Sequence, residues 1–181
     1  MNKGNTLLKI ARSAIAERLN LHVSFQAADD SWLNEPRASF VTLHKNASLR
    51  GCIGSLVAHR PLGEDVRVNA VAAAFHDPRF APLSADEFDA IDIEVSVLSR
   101  PEKIMFSDEN DLLGQLRPNI DGLILSYGNQ RGTFLPQVWQ QLPQPAQLLA
   151  HLQQKAGLSP DFRHPDIEIS RYTVEAFSET P

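Results

Sequence analysis

Hydrophobic positions recur at helical spacing from the start of the chain. Leu7, Leu8, Ala11, Ile15 and Leu19 fall on one side of a 3.6-residue period behind Asn5 and Thr6, either of which can cap, and so predict an opening amphipathic helix. Ser31 to Arg37, with Trp32, Asn34 and Pro36, reads as a loop, and Ala38 to Leu43 is rich in strand formers. Lys45-Asn46-Ala47 then reads as the turn of a hairpin whose second strand carries Arg50 and Cys52. Pro61 to Asp65 opens a second helix with proline and acids where a helix start favours them, and Pro78 ends it near His76. Ser84 and Glu87 have capping-box spacing. Ile91, Ile93, Val95 and Val97 alternate with Asp92, Glu94 and Ser96, the clearest half-buried strand in the chain.

Farther on, Asp108 to Leu116 predicts a short helix, and Leu123 to Tyr127 a strand between the turns Asp121-Gly122 and Gly128-Asn129. Thr133 to Pro136 reads as a short edge strand, and Gln147 to Ala156 as a helix ended by Gly157. Ile167, Ile169, Tyr172, Val174 and Ala176 keep period two except for a slip at Arg171, which predicts a bulged terminal strand. Hairpins and helices mix without regular strand-helix alternation, so the fold class is α+β, an antiparallel sheet flanked by helices, within one domain of residues 1–181.

Composition narrows the function classes. A 43% hydrophobic and 22% charged share over 181 residues is ordinary globular usage. Seventeen Lys+Arg against 22 Asp+Glu give a net charge of -5, the wrong sign for nucleic-acid binding driven by counterion release. No apolar run approaches the roughly 18–20 residues that span a bilayer. The single cysteine forms no internal disulfide and no signal-peptide pattern opens the chain, so a reducing, cytoplasmic setting is expected.

Ser48-Leu49-Arg50-Gly51-Cys52-Ile53-Gly54-Ser55 is the stretch around which the chain is organised. Strand alternation places Leu49 and Ile53 on one face and Arg50 with Cys52 on the other. Gly51 and Gly54 weaken a strand unless a bulge, or close approach of another backbone or a ligand, requires them.

Five blocks occur in order: Phe40-Val41-Thr42-Leu43, Leu49 to Gly54, Asp77-Pro78-Arg79-Phe80, Ile93 to Leu98, and Arg131 to Trp139. Together they resemble the AMMECR-one domain family, whose bacterial members are called AmmeMemoRadiSam system protein A. The resemblance runs from about Phe40 to the terminal strand. It implies an α+β fold with a larger and a smaller lobe around a cleft, the arginine-glycine-cysteine block near that cleft, and association with a Memo-like protein and a radical S-adenosylmethionine (radical SAM) protein. The family has no securely established activity. Where other members often carry threonine after the second glycine of the block, this chain has Ser55.

Candidate chemistry centres on Cys52, whose thiolate a neighbouring cation such as Arg50 would favour. A small residue packed in a tight strand explains the same cysteine. His76 with Asp77 has the makings of a base and its orienting acid, although histidine in a last helical turn also serves the helix dipole. Arg79 suits an anion or an acid partner. Glu94, on the strongest strand, is a candidate acid or an ion-pair partner for Arg50 or Arg79. Arg131 and Thr133, read as part of a turn, offer a guanidinium and a hydroxyl to a phosphate or carboxylate. Metal-ligand spacing is absent, as are a P-loop and a dinucleotide fingerprint, so no metal site is expected and the cofactor stays unassigned. Two functions follow: a cleft lined by Arg50, Cys52, Arg79, Glu94 and Arg131, with Gly51 and Gly54 beside it, that binds a small anionic ligand and acts on it through Cys52, or a non-catalytic adaptor for a Memo-like or radical SAM partner.

Overall fold

Burial alternates along Ile91–Leu98 as its apolar pattern requires, and this strand stands inside the first of two sheets. The computed structural model describes residues 2–23, 25–27 and 29–180. In chain order the elements are α1 (Lys3–Arg18), β1 (Ser39–Lys45), β2 (Ser48–Gly54), α2 (Leu62–Phe75), β3 (Ile91–Leu98), β4 (Glu102–Lys103), α3 (Glu109–Gln115), β5 (Gly122–Tyr127), β6 (Gln130–Phe134), α4 (Pro145–Lys155), β7 (Glu168–Tyr172) and β8 (Val174–Ser178). Single 3-10 turns occupy Ser31–Leu33, Ala85–Ala90 and Pro136–Gln140. The fold is α+β, with two four-stranded sheets where the sequence pattern suggested one.

The chain divides into two compact units. The first comprises Met1–Leu98 and Glu175–Pro181, the second Ser99–Val174. In the first, the strand order is β2-β1-β3-β8, with β1 antiparallel to both neighbours. Val41, Leu43, Ile93 and Val95 are fully buried in one apolar cluster with Ala11 and Ile15 of α1 and Val66 and Ala70 of α2. Helix α1 starts one turn earlier than its apolar spacing suggested, because Asn2 caps it: the Asn5 N–H donates to Asn2 Oδ1 at 2.8 Å. In the second unit the order is β4-β7-β5-β6, all antiparallel, over a core that includes Leu123, Leu125, Ile169, Trp139, Leu148 and Leu152.

The predicted bulged terminal strand is two strands. β7 pairs with β4 and β5, whereas β8 joins β3 in the other sheet, and the break falls at Thr173, whose N–H donates to Ser99 Oγ and whose carbonyl accepts from Ser99 N–H. Two short runs of period two, each out of phase with the other, look like one strand with a slip. β4 has two residues, too few to show a period.

The hairpin of β1 and β2 turns through Asn46 and Ala47, both at positive φ (52° and 60°), the backbone of a two-residue hairpin turn that matches strand twist. Both glycines of β2 are there for space. A Cβ on Gly51 would stand 2.1 Å from the Ala73 carbonyl oxygen of α2, and one on Gly54 would meet the Phe40 ring at 2.2 Å. Ser55 Oγ, just beyond the strand, donates to Asp65 Oδ1 at 2.9 Å. Asp65 is wholly buried and its other oxygen accepts from Ser39 N, Ser39 Oγ and Asn69 Nδ2 at 2.6–3.0 Å, so it fastens the first turn of α2 to the start of β1 and the end of β2.

Two substitutions in this hairpin should act in opposite directions. Gly51→Ala forces α2 away from β2 and should lower the urea midpoint, at a cost of about 2–3 kcal/mol. Ala47→Gly relieves a left-handed alanine and should raise the midpoint, by about 1 kcal/mol.

Candidate functional site

β2 is an edge strand, and Cys52 shows how its open side is closed. Thr42 and Cys52 face each other across the hairpin, and Cys52 Sγ lies 3.3 Å from Thr42 Oγ1. The Cys52 backbone is aimed away from β1. Its N–H donates to Asp77 Oδ2 at 2.9 Å and its carbonyl accepts from Arg79 Nη2 at 3.4 Å. Asp77 follows the last turn of α2, so the approach of α2 to Gly51 is what brings its carboxylate to the strand.

Asp77 is almost wholly buried and Arg79 half exposed. Arg79 grips the carboxylate with two bonds, Nε to Oδ1 at 3.0 Å and Nη2 to Oδ2 at 2.7 Å, and its backbone N–H adds a third at 3.1 Å. The guanidinium holds the Asp77 carboxyl far below the usual carboxylate range against the opposite pull of burial, and the Cys52 and Arg79 N–H groups reinforce it. Arg79 is itself raised above its ordinary value, first by the bond to Asp77. The cation bonded to the backbone of Cys52 is therefore Arg79.

Arg50 takes a different course from the one alternation predicts. The register slips between Leu43 and His44, which pair with Gly51 and Leu49 and leave Arg50 as the extra residue of a β-bulge. Leu49 thus lies on the face of His44, opposite that of Ile53, which pairs with Val41. Arg50 and Lys45 both meet Glu87. Arg50 Nε and Nη2 each reach a Glu87 oxygen at 3.0 Å, and Lys45 Nζ reaches one at 2.9 Å. The bulge breaks the alternation expected to relate Arg50 to Cys52, and the two side chains meet different partners, Glu87 for Arg50 and Thr42 for Cys52.

Glu87 also accepts from Ser84 N–H in the capping box that the sequence showed. The Arg50 bonds, the Ser84 N–H and Lys45, in that order, hold its carboxyl well below the ordinary range, with burial opposing. Arg50 Nη1 is buried and bonds to no group among the described residues. The Phe80 ring lies within reach of both guanidiniums, 5.9 Å from that of Arg50 and 5.5 Å from that of Arg79.

The other candidate residues fall as follows. Glu94 stands opposite Thr42, so Cys52, Thr42 and Glu94 form one row across three strands; its expected arginine partners bond instead to Glu87 and Asp77. His76 caps α2 and lines the groove between α1 and α2 with Glu17 and Arg67. No His76–Asp77 dyad forms, since the Asp77 oxygens face Cys52 and Arg79. Arg131 and Thr133 belong to the second unit, in strand β6 and not in a turn; Arg131 is exposed, and Thr133 is buried with its carbonyl accepting from Lys155 Nζ. Sequence reasoning missed Glu87, whose capping-box position was its signal, and Lys45. Among the described residues no group of three or more His, Cys, Asp or Glu is placed to hold a metal, and no helix is long and apolar enough to cross a membrane.

Glu87 gives the first unit a defined response to acid. A carboxyl depressed in the folded state adds stability that is complete above its unfolded value, about 4.3, and is lost as pH falls through the lower folded one. Glu87→Gln should cost about 2 kcal/mol at pH 7, since it leaves Arg50 uncompensated. It should also flatten the decline in urea midpoint below about pH 5.

Comparison with known proteins places these features in a family. Residues 8–177 match the AMMECR1 family profile. The chain is 40% identical to a protein of Methanothermobacter thermautotrophicus over 98% of its own length and 95% of that protein, and 36% identical to one of Methanocaldococcus jannaschii over 99% and 91%. The crystal structure of an uncharacterised protein from Pyrococcus horikoshii superposes with a TM-score of 0.78 at 35% identity, covering 98% of this chain and 91% of that one. With a profile match over nearly the whole chain and relatives this similar at full length, the protein belongs to the AMMECR1 family.

Proposed function

We propose that the first unit binds a small anion at the Cys52 edge of β2, with the Cys52 thiol as its nucleophile. The observation that carries the reading is the half-exposed guanidinium of Arg79, fixed in place by Asp77 and bonded to the backbone of the cysteine. Its Nη1 is engaged by no bond among the described residues, which leaves donors for a carboxylate or phosphate. Arg50 supplies a second, neutralised cation 5.9 Å from the Phe80 ring and supports the site through position. A reducing, cytoplasmic setting would keep the thiol available.

A second reading is favoured by exposed apolar side chains at both ends of β2: Leu49 (41% exposed) at its start, Leu56 (43%) and Val57 (51%) just beyond its end. These suit an adaptor that docks on a protein partner such as the Memo-like or radical SAM protein that the family resemblance implies.

Labelling kinetics separate the two. The pH dependence of Cys52 alkylation should give an apparent pKa below the free-thiol value of about 8.5. Arg79→Ala should raise that value, while Arg50→Ala leaves it in place. An apparent pKa at or above the free thiol, unmoved by Arg79→Ala, leaves Cys52 as packing and selects the adaptor. Mass spectrometry of metabolites that copurify with wild type and not with Arg79→Ala would identify the anion.

A further inference from the structure

The second unit contains a cavity of about 330 Å³ that none of the chemistry at Cys52 involves. It opens between α3, α4 and the segment that leads into β7. Its floor is the core itself: Leu112, Leu125, Leu149 and Ile169, all at most 5% exposed. Interiors are close-packed and voids larger than a water are few, whereas this one has room for about ten water-sized groups. It lies at the lower end of small-molecule site volumes.

One wall is rigid. The rings of Phe162 and His164 stack nearly parallel, 4° apart, and Tyr127 meets both edge-on at 5.1 and 5.0 Å. The buried amide of Gln153 donates to the Phe162 carbonyl at 2.6 Å and ties this segment to α4.

Polar groups gather at the mouth, and two of their N–H donors are unengaged among the described residues. Arg163 uses Nε on Glu109 and Nη1 on the Phe162 carbonyl and Gln153 Oε1. Its Nη2 has no partner among the described residues. The Asp166 N–H donates to His164 Nδ1 at 3.1 Å, so the neutral ring carries its proton on Nε2, a second free donor. Of the acceptors, Glu109 Oε2 and Gln153 Oε1 are occupied by Arg163, while Glu109 Oε1 makes no bond among the described residues and the exposed Asp166 carboxylate lies 3.8 Å from His164 Nδ1. An apolar chamber whose entrance has unengaged N–H donors and one fixed guanidinium suits a ligand with an apolar body and an anionic head.

We propose that this cavity is a binding site for a small amphipathic carboxylate of about ten heavy atoms, its apolar body on Leu112, Leu149 and Ile169 and its carboxylate on Arg163 and His164. The site is independent of Cys52.

Octanoate is the probe, with octanol and octylamine as neutral and cationic counterparts, titrated into the full chain by calorimetry and by amide NMR. Octanoate should bind about tenfold more tightly than octanol, and octylamine more weakly still. Shifted amides should cluster in α3, α4 and β7. Arg163→Gln should bring octanoate down to the octanol affinity and leave octanol unchanged, and Ile167→Trp, which fills the entrance, should abolish both. Cys52→Ser should bind as wild type. The proposal is overturned if millimolar octanoate does not bind, if octanol or octylamine binds equally well, or if Arg163→Gln binds octanoate as wild type does. Should Ile167→Trp not fold, the octanoate-to-octanol ratio in Arg163→Gln, a half-exposed position, decides the matter alone.

Discussion

The first unit depends on how closely α2 can approach β2. With hydrogen in place of a side chain at Gly51, the Ala73 carbonyl occupies the space a Cβ would need, and the helix axis is held close against the strand. The residues that leave this helix then have no choice of destination. Asp77 arrives at the Cys52 N–H, Arg79 follows it, and Phe80 comes within 6 Å of two guanidiniums. At its other end the helix is fixed by the buried Asp65, whose bonds to Ser39 and Ser55 position it against both strands. Backbone proximity at one end and a satisfied buried carboxylate at the other set the orientation of α2, and hence the geometry around the cysteine.

Charge around Cys52 is arranged in two pairs with different freedom. Arg50 is largely buried, held by both oxygens of Glu87, and its charge is cancelled where it stands. Arg79 is held just as firmly by Asp77 but keeps half its surface in solvent. Both use the fork geometry in which guanidinium meets carboxylate through two parallel bonds. The buried pair organises the structure. The exposed one still has a face to offer, which is why the two arginines differ in role although both lie within 6 Å of the Phe80 ring.

Much of the architecture was legible because alternating and helical periods survive in the sequence: the hairpin, β3, both long helices of the first unit, the capping box at Ser84 and the helix ended by Gly157. Gly51 and Gly54 also announced the need for close approach. What the sequence concealed was local register. A bulge at Arg50 leaves no mark on the hydrophobic pattern, since the residue is polar on either face, yet it removes the alternation that would relate Arg50 to Cys52. Partner choice was equally hidden. Glu94 and Glu87 are both acids near strand β3, and only coordinates show that the turn residue meets Arg50 and the strand residue does not. The division of the last strand between two sheets is a third case, where a single step at Thr173 mimics a slip in one continuous element.

The closure of β2 has a consequence beyond chemistry. An edge strand normally exposes alternate N–H and C=O groups that can recruit a strand from another molecule. At Cys52, the middle of β2, that donor and acceptor are engaged by an aspartate and an arginine, a side-chain imitation of a neighbouring strand that cannot be extended by another chain. The bulge at Arg50 twists the edge further from the flat geometry that pairing requires. The same two residues that frame the thiol thus protect the sheet from intermolecular association, and replacing either would expose a template for aggregation at the edge of the sheet.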